Sequence, residues 1–164
     1  MSKTKLEKLE QLLKQEFSPN ELKEIVGLSR RQIAEWDKKG ILLSQERKKT
    51  DTWSWRKFSG VNIIQLGVLA ELRQAGLSPD DLKELAYWLK DIEKSFIKEI
   101  QAGVKNNKKI ILNTNLKNRF MLSVGNETNQ GLIFGHKQIT TDDKIVLRIN
   151  IGRIIEDIIK FLNK

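Results

Sequence analysis

Ser29, Arg30, Arg31 and Gln32 stand in a row, and Lys38 and Lys39 follow within two helical turns. A second group, Arg47, Lys48, Lys49 and Arg56, comes shortly after. These side chains share one chemistry. A guanidinium forks onto the O6 and N7 acceptors of guanine, and a carboxamide pairs with adenine. Lysines are point charges that hold a phosphate backbone without specifying sequence. A helix beginning at Ser29 also offers unpaired N–H groups to a phosphate. The bland alternative for Arg31, Lys38 and Lys39 is a solvated helix face.

Other chemistries find little support. Cysteine is absent and His136 is the sole histidine, which removes thiol redox chemistry, Cys-ligated metals and most nucleophile–base pairs. His136 follows Gly135 in a polar stretch and reads as a surface residue. Asp80-Asp81 and Asp142-Asp143 suit a helix start or a turn better than paired acid–base work. Gly125, Gly131 and Gly135 do not form a phosphate cradle ahead of a helix. No catalytic set, metal site or cofactor site is expected, and an enzyme is the least favoured class.

The elements that must carry the basic side chains are legible. Ser18 caps a helix with Pro19 at its first position and Glu21 three residues on. Leu22, Ile25 and Val26 give that helix one apolar face. Gly27 ends it in a left-handed turn. Ser29 then caps a second helix, which buries Ile33 and Trp36. Two short helices about a glycine turn, the second one basic, have the pattern of a DNA-binding helix-turn-helix. Residues 44–51 form a polar basic loop. In 52–56 polar and aromatic residues alternate as in a half-buried strand. Together they predict a hairpin wing, with Trp53 and Trp55 as core.

These residues resemble the MerR family of bacterial transcription regulators. Four pieces carry the likeness in order: Leu28-Ser29-Arg30-Arg31-Gln32-Ile33, Trp36-Asp37-Lys38-Lys39-Gly40-Ile41-Leu42, Trp55-Arg56-Lys57-Phe58-Ser59 and Leu72-Arg73-Gln74-Ala75-Gly76-Leu77-Ser78. The likeness spans roughly residues 18–89. Ala34 and Glu35 stand where many members carry Arg and Tyr, and Phe58 where Tyr is common. The resemblance implies a homodimeric, sequence-specific regulator on a pseudo-palindromic operator, and it places Arg56 on the family's wing arginine. It implies double-stranded DNA, a second copy of the chain and RNA polymerase as partners. Further classes stay open: an architectural or excisionase-like protein that bends or anchors DNA without regulating a promoter, and a protein-binding adaptor.

Composition bounds the rest. The net charge is +9 over 164 residues, with 39% hydrophobic and 31% charged side chains. Such a balance fits a polyanionic partner. Charge alone is ambiguous, because Lys, Asn and Ile are plentiful throughout, as biased genome composition produces. The first residues carry no apolar signal core, and no apolar run nears the ~20 residues that span a bilayer. A cytoplasmic, nucleoid-associated protein is expected.

The expected fold class is α+β and mainly α, in four parts. Residues 1–17 form an amphipathic helix with Leu6, Leu9, Leu12, Leu13 and Phe17 on one face, which covers the first domain's core or else makes a dimer contact. Residues 18–78 are the winged helix-turn-helix, closed by a buried helix from Ser59 or Gly60 to about Ala75. Residues 79–102 form one long helix. Its Leu82, Leu85, Leu89, Ile92 and Phe96 repeat as a heptad-like seam. Trp88, Ile92, Phe96 and Ile100 at its far end are the expected dimer contact, the alternative being that they pack on the chain's own C-terminal part. Residues 103–164 are a small α+β module with strands near 109–113, 119–124, 131–135 and 144–150 and a final helix over 151–162. The basic stretch 105–119 is a solvated surface or a further DNA contact. An effector or partner protein at this module is the remaining expected partner.

Overall fold

A computed structural model describes residues 3–44, 56–115, 120–124 and 146–164. The predicted wing loop with Arg47, Lys48 and Lys49, the aromatic pair Trp53 and Trp55, the strand near 131–135 and His136 lie outside the described residues.

Helix starts follow local chemistry. Thr4, Ser18, Ser29 and Ser59 each accept a hydrogen bond from the backbone N–H three residues on, and the side-chain oxygens of Glu7, Glu21, Gln32 and Asn62 each accept one from the cap's own N–H. Each pair satisfies two N–H groups that the helix itself leaves unpaired. These boxes open α1 (Lys5–Lys14), α2 (Pro19–Val26), α3 (Arg30–Lys38) and α4 (Gly60–Gln74). Ser78 caps α5 (Pro79–Asp91) and Asn150 caps α7 (Ile151–Leu162). The helix α6 (Glu93–Lys105) starts at Ile92 without a side-chain cap.

Two expectations are corrected. The first helix ends at Lys14, and Glu16–Phe17 form a strand, β1, antiparallel to β2 (Phe58–Ser59). The long helix expected over 79–102 is two helices broken at Ile92. The apolar seam runs unbroken across that point and does not mark the break. α6 packs on α1 and α7, and Phe96 and Ile100 are fully covered within the chain. The far end of the seam therefore packs on the chain's own elements, which removes Phe96 and Ile100 as an exposed dimer contact.

The break has a polar lock. Gln65 of α4, fully buried, donates from Nε2 to the Leu89 carbonyl at 3.0 Å. Leu89 lies in the last turn of α5, where helix carbonyls lack partners in their own helix. Asn62 donates to Gln65 Oε1 at 3.5 Å.

The C-terminal sheet has the order β4-β3-β5, built from β3 (Ile110–Asn115), β4 (Phe120–Val124) and β5 (Val146–Asn150), all antiparallel. A single cluster of buried apolar residues runs from Leu9 through Phe58, Leu69 and Phe96 to Ile158. α4 is its centre and packs against α1, α2, α5 and α7. α1 approaches the start of α4 so closely that a Cβ on Gly60 would lie 1.9 Å from the Leu12 carbonyl oxygen. At Gly67 the added carbon would sit 2.9 Å from Ile154 Cγ2 of α7.

Candidate nucleic-acid interface

The reading unit is α2, a turn and α3. Gly27 takes a left-handed φ of 77° and its N–H donates to the Lys23 carbonyl at 3.0 Å. A side chain at such a φ is strained. Leu28, Ile33 and Trp36 are buried and seat α3 on the core. A helix turns by about 100° per residue. With Ile33 and Trp36 inward, the outward stripe is Arg31, Ala34, Glu35 and Lys38, and Arg30 and Gln32 flank it. All six are exposed. Ala34 keeps the middle of the stripe shallow. Trp36 is core, as its spacing suggests.

The basic residues differ in their surroundings. Arg30, Arg31 and Lys38 project from α3 into solvent. Ser29 and Gln32 are engaged with each other's backbone, Gln32 Oε1 accepting from Ser29 N–H at 2.9 Å. That leaves the Gln32 amide nitrogen as its outward donor. Lys39 reaches back to Glu35, Nζ to Oε1 at 2.9 Å. This hydrogen bond and the Lys39 charge hold the Glu35 carboxyl below its ordinary range, with smaller help from Arg31 and Arg73.

Arg56 is the exception. Its side chain is 7% exposed, and Nη1 lies 2.6 Å from Oδ1 of Asp37 in α3. The arginine matched to the family's wing position is thus turned inward, against the end of the reading helix. Asp37 was not among the residues singled out from sequence. No local signal marks the pair, because the two sit on different elements. Lys57 beside it is bound to Glu16 at 2.9 Å, which ties the strand pair β1–β2 at the base of the unit.

The expected dimer residues are scattered. Trp88 and Ile92 are half-buried, and Phe96 and Ile100 are covered. Tyr87 of α5, 78% exposed, is the most open large apolar residue described.

A capped helix pair joined at a left-handed glycine, with a basic outer face and a buried support helix, defines a helix-turn-helix DNA-binding protein. Residues 17–87 match the model of the MerR HTH family regulatory protein. Over that stretch, less than half of the 164 residues, the chain is similar to this family of regulatory proteins. No curated protein matches the chain. Among the described residues no helix is long and apolar enough to cross a membrane, and no group of three or more potential metal ligands gathers.

Proposed function

We propose that the chain regulates transcription as a homodimer on a pseudo-palindromic operator, with α3 of each copy in a major groove. The observation that carries this reading is the outward stripe of α3, where Arg31 and Lys38 flank a shallow centre at Ala34 and Arg30 stands beside it. Arg30, Arg31 and the Gln32 amide read base edges. Ser29, Lys38 and Lys39 hold phosphates, joined by Arg47, Lys48 and Lys49 of the wing expected from sequence. Arg56 acts from behind, positioning α3 through Asp37. Two-fold pairing matches the symmetry of an operator with two half-sites, and the exposed Tyr87 face of α5 is the surface we favour for it. In this reading residues 18–78 contact DNA and RNA polymerase is met at the promoter. Residues 103–164 then serve an effector or partner.

The test is to select bound fragments from the host genome and measure affinity on the best of them. Arg30→Ala is expected to weaken that site by about 1–3 kcal/mol, with relaxed preference at one base position. Unchanged affinity and preference would remove Arg30 from the reading set. Many scattered sites without a repeated half-site would favour the architectural role. A chain that sediments as a monomer and protects a single half-site would end the dimer.

A further inference from the structure

α1, the end of α6 and α7 enclose a groove of about 310 Å³ away from the reading helix. That is the lower end of small-molecule pockets, which run from ~300 to ~1,000 Å³. Its floor is apolar: Val104, Ile110, Ile155 and Ile159. Gly103 and Gly152 also line it, and neither sends a side chain into the space. The rim is cationic, from Lys5 and Lys8 of α1, Lys108 after α6 and Lys160 of α7.

The rim charges are not balanced. Glu156 is the sole acid lining the groove and pairs with Lys5 at 3.0 Å. Lys160 reaches Asp157 at 3.7 Å. Among the described residues Lys8 and Lys108 make no ion pair. Lys108 is also held in place. Asn107 adopts a left-handed φ of 51°, and the Lys108 N–H donates to the Gly103 carbonyl at 2.8 Å. The turn thus sets the Lys108 backbone at the edge of an apolar hollow.

We propose that this groove binds a small amphipathic carboxylate, with its apolar body on Val104, Ile155 and Ile159 and its head between Lys8 and Lys108. An apolar floor selects the body by burial, and an excess of lysine at one rim selects a negative head. A neutral or cationic head gains nothing there.

The experiment is calorimetric titration of the full chain, without DNA, using octanoate, octanol, octylamine and acetate. Octanoate is expected to bind. Octanol, octylamine and acetate should each bind about tenfold or more weakly than octanoate, since each lacks the charge or the body. The Lys8→Glu/Lys108→Glu double variant, with Lys108 exposed and Lys8 half-buried, should keep the wild-type circular dichroism and lose octanoate by about tenfold or more. Val104→Trp, which fills the floor, should abolish binding in a chain that remains folded. Octanoate that fails to bind in the millimolar range overturns the proposal. So does octanol or octylamine binding as tightly as octanoate, or a double variant with unaltered affinity.

Discussion

Replacing Arg56 with alanine separates two roles that a wing arginine could play. If the side chain touches phosphate, its loss weakens DNA binding and leaves the fold alone. The structure argues the reverse. The guanidinium is 7% exposed and sits 2.6 Å from Asp37, whose side chain is 28% exposed. Breaking a fully dry ion pair by removing one partner costs ~3–5 kcal/mol. Asp37 keeps part of its surface in water, so the abandoned carboxylate is partly rehydrated. A charge-assisted hydrogen bond of about 1.5–3 kcal/mol is the better scale. For a chain of this size each kcal/mol lowers Tm by roughly 2–4 °C, so Arg56→Ala should melt about 3–12 °C lower. Urea unfolding followed by circular dichroism measures the stability. Anisotropy of labelled operator, taken well below the melting range at several salt concentrations, measures the contacts. Each neutralised phosphate contributes ~0.9 to the slope of log affinity against log salt. Arg56→Ala should therefore keep the wild-type slope, and Lys38→Ala should lose nearly one unit of slope with its stability unchanged. An Arg56→Ala chain with wild-type stability and a slope lower by one phosphate refutes the positioning role.

Gln65→Met keeps the volume but removes the donor to the buried Leu89 carbonyl; urea unfolding should show a loss of about 1–3 kcal/mol, and a loss within error would remove the lock from the helix break. Gly60→Ala places a carbon 1.9 Å from the backbone oxygen of Leu12, which cannot rotate away, so the cost should reach or exceed the ~3 kcal/mol upper range of overpacking, read as a lower urea midpoint. Glu35 titrates below its ordinary value of 4.5. Since its folded pKa is depressed, any stability it lends is present above the ordinary value and is lost as pH falls through the folded one; carboxyl NMR should show its pKa rising when Lys39 is replaced by Met, and an unmoved pKa would assign the shift elsewhere.

Local signals were readable because they are written within three residues. Ser18 with Glu21, Ser29 as a cap and Ser78 before Pro79 all name helix starts that the structure keeps. The left-handed turn at Gly27 and the inward Trp36 followed from the same short-range logic. Strands near 110, 120 and 146 and the last helix were marked by β-branched runs and by isoleucine spacing. What failed depends on distant partners. A heptad seam says which side of a helix is apolar, not whether the helix stays straight, and Phe96 and Ile100 are drawn inward by α1 and α7. Phe17 continued an apolar face by count, yet its backbone pairs with Phe58. The Arg56–Asp37 pair was likewise not legible, because only the packed structure brings the two side chains together.

The family-matching stretch shares its core with elements outside it. Its central helix is roofed by α1 on one flank and α7 on another, and both lie outside residues 17–87. A fragment excised at those bounds bares the α4 surface beside Gly60, where Leu12 sits, and the notch at Gly67 that Ile154 fills. Any perturbation that loosens either end of the polypeptide thus reaches the scaffold beneath the reading helix without touching DNA.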